Sequence, residues 1–130
     1  MSTEENKALV RRQIEDVWNN GNRDAMLTYW DEIPAADLLH GHTLLHSAFP
    51  DFHITIEDMI AGGDKVVTRM LFHGTHQGSF FGIPPTGKHV EWGAIRIYRI
   101  AEGKLVETWA MQDRLGLMQQ LGAVPPAAHS

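Results

Sequence analysis

Glu107, Trp109, Met111 and Asp113 fall on alternate positions of the stretch ETWAMQDRLGLMQQLG, residues 107–122. Alternate residues of a β-strand share one face, so this spacing would set a carboxylate at the end of a heavy, largely apolar row. A carboxylate buried beside Trp92, Trp109 and Met111 would have its ionised form disfavoured by desolvation. That brings its pKa toward the range useful for abstracting a proton next to a carbonyl, a shift that Arg96 or Arg114 would oppose. A second role fits the same residue: in the run D-R-L-G, Asp113 stands where it would cap a helix beginning at Arg114. The residues alone leave both roles open.

Arg96 carries two readings as well. In the register given below it lies opposite Trp109 and diagonal to Glu107, where it would polarise a substrate carbonyl or hold a carboxylate. The plainer alternative is a cation–π contact plus an internal ion pair. Eight histidines raise the question of a metal. His42 and His46 in HGHTLLH are four apart on a possible helix, yet no acidic ligand completes a recognised spacing, and no metal is expected. His73 and His76 read as strand-end and loop residues, with His76 in GTHQG within reach of a pocket mouth. Phe80, Phe81, Ile83 and the Pro84–Pro85 pair form a stiff apolar loop, either a substrate wall or a plug. GIPPTGK misses the spacing of a phosphate loop and no helix is expected after Lys88. Neither Ser47 nor Ser79 sits in a nucleophile elbow. With no cysteine in the chain, thiolate nucleophiles, disulfides and cysteine-ligated metals are excluded.

The elements that must position these residues divide into helices first and strands afterwards. Ser2 and Glu5 have the form of a capping box, and Leu9, Val10, Ile14, Val17 and Trp18 then recur near helical spacing until NNGN. Asn22 is expected to cap a second, shorter helix whose buried stripe is Met26, Leu27 and Trp30 and which Pro34 ends. The stretch ADLLHGHTLLHSAFPDF is read as a third helix, weakened by Gly41. From Phe52 onward, β-branched and aromatic residues punctuated by AGGDK, GIPPTGK and AEGK predict strands near 53–60, 65–75, 89–100 and 104–113. The fold class is α+β: a curled antiparallel sheet whose inner face is covered by the N-terminal helices, with Trp18, Trp30 and Phe49 in the core.

A two-residue turn at Glu102 and Gly103 would set Asp113 opposite Trp92, Met111 opposite Ala94, Trp109 opposite Arg96 and Glu107 opposite Tyr98, all on one face. The other face would carry Ile95, Ile97, Val106, Thr108 and Ala110. Two mostly dry faces suggest helices on one side and a second copy of the chain on the other, hence a homodimer.

The 130 residues suit a single domain, 1–122, followed by a flexible tail, 123–130. A net charge of −5 without a basic stripe argues against nucleic acid as a partner. No apolar run approaches the roughly 18 residues of a membrane span, and MSTEENKALV lacks the pattern of a secretory signal. A cytoplasmic protein without membrane contact is the expectation.

The stretch from Ile54 to Gly122 resembles the C-terminal two-thirds of the SnoaL-like polyketide cyclase, or ester cyclase, family within the NTF2-like superfamily. ENKALVRRQIEDVWNNGNRDAM resembles that family's first helices; GTHQGSFFGIPPTGK and WAMQDRLGLMQQLG are the most specific pieces. The resemblance implies a cone-shaped α+β barrel, usually dimeric, with a pocket closed by the N-terminal helices. It implies an intramolecular aldol ring closure of an aromatic polyketide ester without metal or cofactor, with an aspartate acid/base that maps through WxxxD onto Asp113. Trp92, Arg96, Tyr98, Glu107, Trp109, Met111, His76 and Phe81 are then expected to contact a hydrophobic small-molecule substrate. Isomerisation, dehydration or epoxide hydrolysis in such a pocket, or ligand binding without turnover, are the alternatives. One segment departs from the pattern: between Trp30 and Phe49 the chain is shorter than its relatives, which there carry an extra strand with a polar motif and a full helix. So few residues are not expected to form both, which predicts an open pocket mouth or a segment completed by a neighbouring chain.

Overall fold

A computed structural model describes residues 2–124. The capping box at its start is complete: the Glu5 N–H donates to Ser2 Oγ and the Ser2 N–H to Glu5 Oε1, each at 3.1 Å. Helix α1, Thr3–Gln13, buries Leu9 and Val10, and its axis continues as a π-helical segment, Ile14–Asn19, that buries Ile14, Val17 and Trp18. Gly21, at a φ of 70°, supplies the left-handed residue on which the chain turns away.

The second helix is much shorter than expected. A 3₁₀ turn, Arg23–Ala25, leads into α2, Met26–Tyr29; the Asn22 side chain makes no cap, and Leu27 is exposed. Trp30 instead forms a one-residue parallel bridge to Leu105, and the Asp31 N–H donates to the Leu105 carbonyl at 2.9 Å. Pro34 ends nothing. It sits in the first turn of α3, Glu32–Ala48, where a backbone N–H has no intrahelical acceptor and its absence costs little. The short segment therefore resolves its conflict in favour of a full helix, and the strand shrinks to the single bridge at Trp30.

Four strands follow close to their expected places: β1 His53–Gly62, β2 Lys65–Thr75, β3 His89–Ala101 and β4 Lys104–Gln112. They form one antiparallel sheet in the order β1-β2-β3-β4, which leaves β1 and β4 as edges. Glu102 and Gly103 make the turn between the last two, both at positive φ as that kind of hairpin turn requires. A final helix, α4, spans Arg114–Gln120.

The expected register of β3 and β4 holds only at the turn, where Ala101 pairs with Lys104 and Ile100 with Leu105. Val106 is then an extra residue, a β-bulge, and the next pairs are Arg99 with Glu107, Tyr98 with Thr108, Ile97 with Trp109, Arg96 with Ala110 and Ala94 with Gln112. One inserted residue turns every later side chain over. Thr108, Ala110 and Gln112 face the concave side with Trp92, Arg96 and Tyr98. Glu107, Trp109 and Met111 face outward, so the row expected to line a pocket lies on the convex surface. There Ile60, Val67, Ile97 and Trp109 pair in register across all four strands, and Ile95, Trp109 and Met111 are 51%, 48% and 82% exposed.

The concave side packs against the helices through an aromatic chain. Trp18 meets Phe52, Phe52 meets Phe72, and Phe72 stands perpendicular to Trp92 at 5.6 Å between centroids. Phe49 closes the cluster against Trp92 and Phe80, and Trp18, Trp30 and Phe49 are buried as expected. Of the tail expected at 123–130, residues 125–130 lie outside the described residues.

Candidate functional site

Between α3 and the concave face of the sheet lies a cavity of about 490 Å³. Its apolar wall comes from three directions: Ile14 and Trp18 below, Leu38, Leu44 and Leu45 of α3 above, and Phe52, Met70 and Phe72 from the sheet. Gly41, the weak point of α3 by propensity, also faces the cavity, and a Cβ built there would meet no atom within 4 Å. The absent side chain gives the cavity room.

Two histidines hold α3 in place. The imidazoles of His42 and His46 stack at 4.0 Å between centroids, and their Nε2 atoms lie 2.7 and 2.9 Å from the carbonyl oxygens of Val17 and Trp18. These carbonyls end the π-helical segment, so each ring satisfies an acceptor the helix has left over. A carbonyl only accepts, hence Nε2 of each ring carries a hydrogen. Burial pushes the His42 imidazolium down from the ordinary histidine range.

Polar side chains of the cavity come from β3 and β4 and, singly, from α3 and α4. Arg96 Nη1 donates to Thr108 Oγ1 at 3.0 Å, and the Thr108 hydroxyl donates to the Ile97 carbonyl at 2.9 Å. Gln112 lines the same wall and accepts the Trp92 indole N–H through Oε1 at 2.9 Å. Tyr98 is buried with its hydroxyl between Thr68 and Gln13, and burial pushes its phenol up, so it stays protonated. Gln13 in turn accepts the Trp30 indole N–H at 3.0 Å. Asp37, near the start of α3, is a lining carboxylate, and Arg114 a second lining guanidinium.

Of the residues expected at the site, Arg96 and Tyr98 line the cavity from the concave face, and Trp92 supports it from behind through Gln112. Glu107 and Trp109 border it only from the unpaired edge of β4, and the Glu107 carboxylate is engaged by Arg99 on the outer face. Met111 does not line it. His76 is fully buried under the loop that follows β2, where Nδ1 accepts the Thr86 N–H at 3.2 Å and lies 3.0 Å from the Thr86 hydroxyl. It anchors residues 76–88 and does not line the cavity. Phe80 takes the wall position expected for Phe81, which is 57% exposed at a φ of 47° with the Arg114 guanidinium 4.9 Å above its ring.

Asp113 is displaced from the cavity by the same bulge. It caps α4, with Oδ1 accepting the Gly116 N–H at 2.8 Å, and its exposed carboxylate opens toward a shallow outer depression shared with Ile95, Met111 and Arg69. Oδ2 rests over the first turn of α4, where a Cβ on residue 116 would come within 2.3 Å of it. Glycine at 116 is what admits the carboxylate. Its chain neighbours Gln112 and Arg114 both line the cavity, which places Asp113 at the corner between cavity and outer surface.

Sequence reasoning missed Asp37, Thr108 and Gln112. The last two went with the register, whose one visible sign is the adjacent pair Leu105–Val106, where apolar alternation breaks. Asp37 had a sign too, one position before Leu38 in the apolar series Leu38, Gly41 and Leu45.

Residues 8–121 match the family model described as SnoaL-like polyketide cyclase. The chain is 28% identical over 129 residues to "Aklanonic acid methyl ester cyclase DnrD" of Streptomyces peucetius, covering 88% of each chain. Among solved structures it superposes on AclR of Streptomyces galilaeus with a TM-score of 0.89 at 28% identity, covering 98% of this chain and 87% of that one. TsrD of Streptomyces laurentii follows with a TM-score of 0.85 at 27% identity, covering 95% of this chain and 99% of that one.

Proposed function

Because the chain belongs to the SnoaL-like polyketide cyclase family, we propose that it is a cofactor-independent cyclase acting on a hydrophobic carbonyl compound of the polyketide-ester type. One observation carries this reading: a cavity of about 490 Å³ with broad apolar walls, in which Arg96, Thr108 and Gln112 stand together on β3 and β4 and Arg114 adds a second guanidinium from α4. Such a cavity holds a fused or extended aromatic body and orients it by one oxygen. The reaction is an intramolecular aldol closure. A base takes a proton from the carbon next to one carbonyl, the resulting enolate carbon bonds to a second carbonyl carbon, and that carbonyl's oxygen receives the proton. The product is an isomer of the substrate.

Asp113 is the proton-transfer group in this proposal. Its free oxygen and its position between two cavity-lining residues support the assignment, as does the family's WxxxD pattern. Asp37 supplies the second reading, favoured by its direct place in the cavity lining. The test is incubation of the purified protein with aklanonic acid methyl ester, the compound in the name of the DnrD relative, and with related aromatic esters, followed by chromatography for a product of unchanged mass. Asp113→Asn and Asp37→Asn are assayed in parallel. A loss of turnover in the Asp37 variant alone would move the role to α3, and no isomeric product from any such ester would sink the cyclase reading.

The outward row Ile60, Val67, Ile97 and Trp109 supports a symmetric homodimer over the convex face of the sheet. Thr108 and Ala110, expected on that face, are replaced there by Trp109 and Met111. Among the described residues no helix is long and apolar enough to cross a membrane.

A further inference from the structure

Arg96 is a half-buried guanidinium whose hydrogen bond within the protein goes to a neutral oxygen. That bond also fixes its orientation: the Thr108 hydroxyl gives its own hydrogen to the Ile97 carbonyl, so its oxygen can only accept, and it accepts Arg96 Nη1. Among the described residues, no ion pair includes Arg96. The carboxylates that line the cavity are not paired with it, because Glu107 is taken by Arg99 and Asp37, on α3, makes no ion pair with Arg96. Arg114, the other lining cation, rests against the rings of Phe80 and Phe81.

A guanidinium whose one protein acceptor is a neutral oxygen keeps further N–H donors for the cavity, and a ligand that brings an anionic oxygen makes charge-assisted hydrogen bonds with them on binding. The planar fork of a guanidinium suits a pair of oxygens or a single oxyanion. A neutral ester carbonyl would accept one of these N–H groups but leave the charge unbalanced. We propose that the group the ligand presents to Arg96 is an ionised oxygen, a carboxylate or the oxyanion of an enolised or phenolic carbonyl, and that a neutral ester group, where the ligand carries one, lies elsewhere in the cavity. This rests on the reading of the cavity as the site of a hydrophobic carbonyl compound, and it makes Arg96 the residue that sets charge specificity. It also fits the aldol closure, in which the electrons of the broken C–H bond come to reside on the carbonyl oxygen nearest the guanidinium.

The matched probes are 2-naphthoate and methyl 2-naphthoate, titrated calorimetrically at neutral pH into the wild type, Arg96→Met and Arg96→Lys, with thermal melts to show that each variant is folded. The wild type is expected to favour the acid by about 10- to 100-fold, the range for a charge-assisted hydrogen bond. Arg96→Met is expected to lose the preference, and Arg96→Lys to keep part of it. The absorption spectrum of bound 2-naphthol separates the two sources of charge. A phenolate spectrum in the wild type, lost in Arg96→Met, supports the enolate-type oxyanion; acid preference without it supports the carboxylate. Equal affinity for acid and ester would overturn this inference and leave the hydrophobic-ligand reading intact. If neither probe binds, both fall, and an acid preference that survives in a folded Arg96→Met variant would overturn the assignment to Arg96.

Discussion

Asp113 can be separated into its two roles by three substitutions. As an N-cap it contributes one exposed, charged acceptor at 2.8 Å to α4, a helix of seven residues whose one buried side chain is Leu117. Replacing it with alanine should cost about 1 kcal/mol, which for a domain of this size lowers the melting temperature by roughly 3–6 °C. Asparagine keeps an acceptor in the same place and should cost only a few tenths of a kcal/mol or so. Gly116→Ala is the informative third. A Cβ there would come within 2.3 Å of Asp113 Oδ2, so the carboxylate must leave its seat, and the roughly 1 kcal/mol gained in helix propensity is offset by the lost cap. In the Asp113→Ala background nothing is left to displace, and the same glycine change should stabilise. The double-mutant cycle, followed by circular dichroism, therefore predicts a coupling of about 1 kcal/mol. Turnover of an aromatic ester reads the other role: Asp113→Asn should lower it by about 10²–10⁴ if the carboxylate transfers the proton. An unchanged melting temperature in Asp113→Ala would refute the cap. Full turnover in Asp113→Asn would leave the cap as the only role.

Three further outcomes are expected. Light scattering at micromolar concentration should show a dimer burying on the order of 1,500 Å², and Trp109→Lys should yield a folded monomer; a wild-type monomer would count against the convex face as an interface. Stability should fall as the pH drops below about 6.5, the ordinary histidine value, because burial holds His42 below it and the unfolded chain takes up the proton first. The slope is at most about 1.4 kcal/mol per pH unit from this group, and denaturant melts at pH 7.5 and 5.5 that differ equally in the wild type and in His42→Asn would rule it out as the source. Gly41→Leu should fill the cavity while favouring the helix, raising the melting temperature and weakening naphthoate binding at least about tenfold by steric exclusion; unaltered binding would show that the ligand lies elsewhere.

The strands were legible almost to the residue because their flanking turns are chemically explicit: Gly63 and the Glu102–Gly103 pair occupy the positive φ values that their turns require. The third helix was legible from its apolar spacing in spite of Gly41, whereas Pro34 misled because a proline opens a helix as readily as it closes one. The face assignment of β4 failed for a deeper reason. A strand is usually oriented by placing its heavier apolar residues inward, but here the inner positions are Thr108, Ala110 and Gln112, which leave space and hydrogen-bonding groups for a ligand. The outer ones are Trp109 and Met111. A strand that borders a cavity on one side and offers a broad apolar surface on the other inverts the usual pattern, and the expected environment of Asp113 inverted with it.

Val106 therefore works like a shift of reading frame within a single strand. Upstream of it, odd-numbered residues of β4 look inward; downstream, even-numbered ones do. When this chain is aligned with its relatives, one gap placed on the wrong side of residue 106 would equate interior residues with exterior ones as far as Gln112, while the percentage identity hardly moved. Deleting the valine would be the matching experiment in the laboratory: it removes the extra residue and leaves an unbroken alternation, in which Thr108, Ala110 and Gln112 keep the cavity wall and Glu107, Trp109 and Met111 keep the outer surface.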